Sequence, residues 1–174
     1  ASSDAMEHRN SAVLTSNGRL DAPGQLERML GAVAHEFFHV WNVERIRPRS
    51  LEPFDFTDAN LSPALWLAEG FTNYYGKLVM KRAGLTTLRR TLETFGATLD
   101  VVIASPGRRL NSAVDMSHLA PFTDAATAID PTNFGNTFVS YYTWGEAIGL
   151  GLDLTLRSRT GGAITLDDYM RALW

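Results

Sequence analysis

Residues 34–42 read Ala-His-Glu-Phe-Phe-His-Val-Trp-Asn, inside an apolar stretch whose periodicity predicts a helix. His35 and His39 are four positions apart. On a helix they lie one turn apart on the same face, so both imidazoles can reach one metal ion. Glu36 lies about 100° further round the helix, where it can accept a proton from water at the metal. The pattern is typical of a hydrolytic zinc site, and the alternative is a pair of buried histidines bonded to backbone or carboxylate groups.

A second helix start, residues 66–71 (Trp-Leu-Ala-Glu-Gly-Phe), carries a single acid, Glu69, 30 residues after His39. A carboxylate from another helix can complete a set of three protein ligands and leave a fourth position for water. The sequence therefore predicts one Zn²⁺ ion bound by His35, His39 and Glu69. Glu36 is the predicted general base, which later returns the proton as general acid.

Helical phase predicts how these two helices pack. An apolar stripe on the first helix lies nearly opposite its two histidines and is expected to face the core; it consists of Leu26, Met29, Leu30, Val33, Phe37 and Trp41. On the second helix the predicted core stripe is Leu67, Phe71, Tyr74, Tyr75 and Leu78. Glu69, Asn73 and Gly76 lie on its far side, where Gly76 would permit close approach.

The remaining pattern predicts a mainly α fold with one or a few short strands at the N-terminal end. Residues 6–15 are expected to form one strand, and helices are expected over about 23–43, 62–84, 86–104, 139–160 and from 165 onward. Residues 105–136 are weakly periodic and are interpreted as a wall of the cleft. His118 within them is a candidate fourth ligand or substrate-binding residue, and the alternative is a loop histidine without a special role.

Composition indicates one soluble domain spanning residues 1–174. The chain has 45% hydrophobic residues, a net charge of −3 and no cysteine. Such a chain can bury a sizeable core, and it lacks the basic run expected of a nucleic-acid-binding protein. We expect no membrane span, a cytoplasmic or periplasmic location and no disulfide framework, while the oligomeric state stays open.

The residues also carry a family resemblance. Residues 34–42 with Arg45-Ile46-Arg47-Pro48, and residues 65–76, resemble the catalytic region of the glycyl aminopeptidase family of zinc metallopeptidases. This family belongs to the gluzincins, whose third zinc ligand is a glutamate. The likeness extends from Met6 to Trp174. It implies a thermolysin-like catalytic domain taken from a longer protein that has a β-rich N-terminal region and a C-terminal PDZ-like domain.

The resemblance implies two further site residues. In related aminopeptidases a Met-Glu pair on the strand before the zinc helix binds the substrate's free amino terminus, so Glu7 would be the amine anchor. The relatives also place an oxyanion-binding tyrosine three residues before a glycine. Tyr142, followed by Gly145, fits this spacing, and Tyr141 is the competing choice. Trp144 stands where the alanyl-type relatives commonly carry a lysine, which makes those relatives the weaker guide.

The implied activity is zinc-dependent hydrolysis of the N-terminal peptide bond of peptides, with a preference for Gly or Ala inferred from the family name. One alternative is an endopeptidase on the same scaffold. The other is a non-catalytic peptide-interaction module with a structural or empty metal site. Glu36 argues against the second alternative, because a structural site needs no general base.

Overall fold

The computed structural model describes residues 4–123 and 134–174, which are mostly helical with one two-stranded sheet. The strands are β1 (Asp4–His8) and β2 (Ser11–Thr15), and the helices are α1 (Gln25–Phe38), α2 (Leu65–Ala68), α3 (Gly70–Arg82), α4 (Leu88–Ala104), α5 (Ala113–His118), α6 (Ala120–Thr123), α7 (Phe134–Thr137), α8 (Tyr141–Thr160) and α9 (Leu166–Leu173). Short 3-10 helices occupy Arg49–Leu51 and Pro106–Arg109. The expectation of a mainly α chain with short N-terminal strands is confirmed.

The N-terminal strand prediction is wrong in one respect. Residues 6–15 do not form one strand, because the chain reverses between His8 and Ser11 and makes an antiparallel hairpin. Glu7 pairs with Ala12 in this ladder, so its side chain has a defined register on β1. The hairpin packs against α1 and thereby brings β1 alongside the histidine-bearing helix.

The central helix of the fold is α3, which packs against α1 on one side and α8 on the other. Its predicted core face is confirmed, since Phe71, Tyr74 and Tyr75 are all buried. They pack with Phe95 of α4 and with α9 in a single apolar cluster. Burial of three large aromatic side chains from one helix is a strong stabilising contribution and anchors α3 relative to its neighbours.

The predicted orientation of α1 is wrong. Leu26, Val33 and Phe37 of its apolar stripe are 54%, 45% and 61% exposed. The opposite face is the one that packs, with His39 buried and the backbone of His35 close to Gly76 of α3. A Cβ atom at Gly76 would lie 3.4 Å from the main-chain nitrogen of His35, so the expected close approach is present. The two helices thus meet through small and polar groups.

Two element boundaries differ from the sequence prediction in ways that matter for the site. The helix predicted over 23–43 ends at Phe38, and residues 39–46 continue as tight turns that include a hydrogen bond from Glu44 N–H to His39 O. The helix predicted over 62–84 is interrupted at Glu69, which separates α2 from α3. The predicted bounds of α4, α8 and α9 agree with the structure to within about two residues. Asp168 accepts hydrogen bonds from the N–H and hydroxyl of Thr165 at the start of α9, as expected for a capping residue.

A buried polar cluster joins α3, α4 and α8 near the site. Glu146 of α8 is 4% exposed and pairs with Lys77 of α3. Thr98 of α4 donates to the same Glu146 carboxylate at 2.8 Å and accepts from Lys77 at 3.0 Å. Because the buried charge has both an opposite charge and a hydroxyl donor, its burial is compensated.

Part of the segment predicted as a cleft wall lies outside the described residues. Residues 105–123 and 134–136 are partly helical in α5, α6 and α7, while residues 124–133 are not described. His118 lies exposed at the end of α5 and does not join any metal-binding group among the described residues. In residues 4–123 and 134–174, no helix has the length and apolar character needed to cross a membrane.

Candidate metal centre and active site

His35 and His39 extend from the last turn of α1 toward Glu69, the residue between α2 and α3. The two imidazole Nε2 atoms are 3.0 Å apart. Oε2 of Glu69 lies 3.2 Å from Nε2 of His35 and 3.3 Å from Nε2 of His39. The structure therefore brings together the three side chains that the sequence predicted as ligands, although 30 residues separate the second histidine from the acid.

This triangle has the dimensions of a zinc site. A tetrahedral zinc ion with bonds of about 2.0–2.1 Å holds its ligand atoms about 3.3–3.4 Å apart. The three measured separations, 3.0, 3.2 and 3.3 Å, are within a few tenths of an ångström of that value. Two nitrogens and one carboxylate oxygen are also the donor set of a catalytic zinc site with an open position. The residues present fit the metal in number, chemistry and spacing.

The hydrogen bond of His39 away from the triangle supports the same assignment. Its Nδ1 lies 2.6 Å from the main-chain oxygen of Asn42. A carbonyl oxygen can only accept, so Nδ1 carries a proton, and in the neutral ring Nε2 then presents its lone pair toward His35 and Glu69. Metal-binding histidines commonly donate their second N–H in this way, which fixes both the tautomer and the ring orientation.

The electrostatics of the triangle favour a bound cation. Burial by itself would lower the pKa of His39, but the Glu69 carboxylate outweighs it and raises that pKa to about 9. Burial would likewise raise the pKa of Glu69, and the hydrogen bonds with His35 and His39 instead lower it to about 2. Both shifts mean that negative charge on Glu69 is stabilised by positive charge beside it. A divalent ion can supply that charge in place of protons.

Glu36 is buried on the α1 face beside the triangle. Burial is the main cause that raises the pKa of its carboxyl group; the neighbouring acids Glu7 and Glu69 act in the same direction, and the histidines oppose it. A carboxylate whose proton affinity is raised in this way is better suited to take and return a proton at neutral pH. Its position next to the triangle, with its pKa raised, is what general acid–base chemistry requires.

Glu7 of β1 approaches the same point from the hairpin. Its carboxylate, that of Glu36 and a ring nitrogen of His39 all lie within 4.8 Å of one another. Two carboxylates this close create a negative region next to the metal triangle, where an ammonium group would be stabilised. The structure thus places the Glu7 carboxylate beside the metal triangle, and its role as an amine anchor stays a prediction.

The two tyrosines at the start of α8 are in different surroundings. Tyr142 lines the cavity at the site, and its ring centroid is 6.2 Å from that of His35. Tyr141 is 4% exposed and packs with Met116 and Ala120 in the core. Of the two candidates, the structure brings only Tyr142 to the metal triangle.

A cavity of about 480 Å³ opens at these residues. Its wall is formed by β1, α1, α3, α4 and Tyr142, and includes His35, Glu36 and Asn73. Its size is within the range usual for ligand pockets. Asn73, which the sequence placed on the same helix face as Glu69, therefore borders the cavity, but it is not among the residues that form the metal triangle.

Sequence reasoning missed residues that hold the triangle in place. Asn42 and Thr72 are completely buried, and both form hydrogen bonds to the segment before Glu69. Gly70 and Gly145 form a close contact between that segment and α8. Asn42 is three residues after His39 and Gly145 is three residues after Tyr142, but their partners are distant in the chain, so spacing alone could not identify them.

Comparisons with known proteins identify the family of the chain and a similar solved structure. The model of the M61 glycyl aminopeptidase family matches residues 28–148, which include all three residues of the triangle, Glu36 and Tyr142. A crystal structure of an aminopeptidase N family protein from Idiomarina loihiensis is similar, with a TM-score of 0.86 and 29% sequence identity over 99% of this chain. The chain spans 30% of the length of that protein. A search of curated proteins finds no match.

Proposed function

The chain belongs to the M61 glycyl aminopeptidase family, and on this basis we propose that it forms the catalytic part of a zinc-dependent aminopeptidase that hydrolyses the N-terminal peptide bond of peptides. The observation that carries the proposal is the triangle of His35, His39 and Glu69, whose ligand atoms are 3.0–3.3 Å apart beside the buried carboxylate of Glu36. One zinc ion bound there would supply Lewis acidity that activates water and polarises the peptide carbonyl group.

The protein's own side chains account for the remaining requirements of peptide hydrolysis. Glu36 accepts a proton from the attacking water and returns it to the leaving amine, and burial makes its carboxyl group suitable for both steps. Tyr142 borders the cavity next to His35, where its hydroxyl group can donate to the oxygen that becomes negatively charged. A neutral donor in that position stabilises the transition state more than the ground state.

Glu7 provides the argument for cleavage at the amino terminus. An ammonium group paired with the Glu7 carboxylate would fix the end of the substrate next to the triangle, so that the first peptide bond is the one at the metal. An endopeptidase has no use for such an anchor, because its substrates carry no charge at this point. We propose a preference for glycine or alanine at the substrate's first residue, supported by the description of the family as glycyl aminopeptidases.

The test uses the full natural polypeptide, purified without chelators. We expect elemental analysis to find one zinc ion per chain and cleavage of a Gly-terminated peptide but not of its N-acetylated form. Peptides that begin with Leu or Phe should be poorer substrates than those that begin with Gly or Ala. Equal cleavage of free and acetylated peptides would show an endopeptidase, and a protein without metal would contradict the zinc site.

Two variants separate the roles of the carboxylates. Glu36→Gln should abolish turnover while retaining the zinc ion. Glu7→Gln should lower kcat/KM for free peptides by about 10–100-fold, the loss expected for one charge-assisted hydrogen bond. The matched control is Glu52→Gln, which changes an exposed carboxylate paired with Arg47 outside the cavity and should leave kcat/KM unchanged. An unchanged kcat/KM in Glu7→Gln would remove the amine anchor from the proposal.

A further inference from the structure

Asn42 lies between the two segments that carry the predicted metal ligands. It is completely buried and belongs to the turn that follows α1. Its main-chain oxygen accepts the hydrogen bond from His39, and its side chain donates to the segment before Glu69. Asn42 therefore contacts both the ring of His39 and the segment that leads to Glu69.

The contact with His39 depends on the end of α1. In a regular helix the carbonyl groups point toward the C-terminus, while side chains lean toward the N-terminus, so the ring of His39 could not meet the oxygen of a residue three positions later. The α-helix ends at Phe38, and the turns that follow are wider than an α-helical turn, since Glu44 N–H bonds to the oxygen of His39 at 3.0 Å, five residues earlier. This turn brings the Asn42 oxygen to within 2.6 Å of His39 Nδ1.

The contact on the other side depends on the break between α2 and α3. Carbonyl groups at the C-terminal end of a helix need partners from outside the helix. The Asn42 amide donates to the oxygens of Leu67 and Ala68, at 2.9 Å in each case, and lies 3.1 Å from the Thr72 hydroxyl oxygen. Thr72 in turn donates to the oxygen of Ala68 at 2.6 Å.

We infer that the side chain of Asn42, together with Thr72, is a positioning group. It holds the break at Glu69 against the turn at His39 and so sets the distance between the Glu69 carboxylate and the His39 ring. The inference rests on the proposed zinc site. A reversed amide would place its oxygen against the main-chain oxygens of Leu67 and Ala68, which can only accept, so these contacts determine its orientation. Groups that orient metal ligands through such contacts commonly change metal affinity by about 10–100-fold when they are removed.

The first experiment is the substitution Asn42→Leu, which keeps the branched shape and removes the amide without adding charge. The measurement is the zinc dissociation constant of the full polypeptide, determined by competition with a chromophoric chelator. We expect the constant to rise by about 10–100-fold. The rise in melting temperature on adding zinc should shrink correspondingly, because zinc stabilises the folded state according to its affinity.

The matched control is Asn60→Leu. Asn60 also donates its amide to two main-chain oxygens, those of Asp55 and Asp58, but in an exposed loop away from the cavity. We expect its zinc dissociation constant to equal that of the wild type. If Asn42→Leu and Asn60→Leu lower the melting temperature of metal-free protein but leave the zinc constant unchanged, Asn42 has only a structural role and the inference is wrong.

A second pair of variants tests the inference independently, in case Asn42→Leu does not fold. Thr72→Val removes the hydroxyl group with little change in shape, and Thr72→Ser retains the hydroxyl. We expect Thr72→Val to weaken zinc binding and Thr72→Ser to restore it, whereas equal affinities in the two variants would overturn the inference. A wild-type protein that binds no zinc would reject the proposed function itself, while unchanged zinc affinity in the variants would reject only the positioning role.

Discussion

Two glycines make a close backbone contact between elements of the site. Gly145 of α8 crosses the chain at Gly70, the residue after Glu69, and a Cβ atom built on Gly145 would lie 1.7 Å from the main-chain oxygen of Trp66. A Cβ atom on Gly70 would lie 2.2 Å from Cα of Gly145. Tyr142 is one helical turn before Gly145. The contact therefore sets the position of Tyr142 relative to Glu69.

The substitution Gly145→Ala should be costly for this reason. Real Cβ atoms essentially never come within 3.0 Å of other heavy atoms, so α8 and the end of α2 must separate by roughly 1.3 Å or more to admit the methyl group. Overpacking of this kind costs about 1–3 kcal/mol, and alanine's better helix propensity returns only about 1 kcal/mol. A shift of about 1 Å in catalytic geometry can lower turnover by about 100-fold.

The matched control is Gly151→Ala on the same helix, where an added Cβ would meet nothing within 4 Å. Urea unfolding of both variants should show a loss of stability for Gly145→Ala and a gain of up to about 1 kcal/mol for Gly151→Ala. Peptide hydrolysis should fall in the first variant and stay unchanged in the second. Equal stability and equal turnover in the two variants would refute the reasoning, because both substitutions change helix propensity alike and differ only in the contact.

Three further predictions concern Tyr142, Asp153 and the zinc ion. Tyr142→Phe should lower kcat by about 100–1,000-fold with zinc retained, and Tyr141→Phe should not lower it comparably; similar values of kcat for the two variants would remove Tyr142 from the mechanism. Asp153 accepts hydrogen bonds from Tyr74, Arg157 and the main chain of Leu166. Burial would raise the pKa of Asp153, but the bond from Arg157 and the other two bonds lower it. Asp153 therefore stabilises the fold above its unfolded pKa of about 3.9 and loses this effect as the pH falls through its lower folded value, so Asp153→Asn should be clearly less stable at pH 7 and nearly equal to the wild type in strong acid. Removal of zinc by a chelator should abolish hydrolysis and lower the melting temperature, and added zinc should restore both; hydrolysis that persists after chelation contradicts the metal site.

Much of the candidate site was predictable because several of its residues are only a few positions apart in the sequence. Histidines four residues apart on a helix must share a face, whatever the rest of the chain does. The same local geometry made the core face of α3 predictable, since Phe71, Tyr74 and Tyr75 repeat with the helical period. The start of α9 could be read from Thr165 and Asp168, because a helix cap involves only neighbouring residues.

The same reasoning placed α1 the wrong way round. Its most apolar stripe is exposed at Leu26, Val33 and Phe37, and the face with the histidines packs against α3. Periodicity shows that a helix has two faces, but the choice of the face that packs depends on the surfaces offered by other elements. Here the surface offered is the side of α3 that contains Gly76, whose lack of a side chain lets the two backbones approach.

The sequence by itself determined the two candidate histidine ligands, the candidate general base between them and the helical periods that present them, because these features depend on residues only a few positions apart. The tertiary structure decided where α2 breaks from α3, how Asn42 joins the two ligand segments, and which of Tyr141 and Tyr142 reaches the cavity. Those features depend on contacts between residues distant in the chain, such as Asn42 with Leu67 and Gly70 with Gly145, which are 25 and 75 positions apart. Such contacts form only when packing selects one arrangement of the helices, and no local pattern encodes that choice.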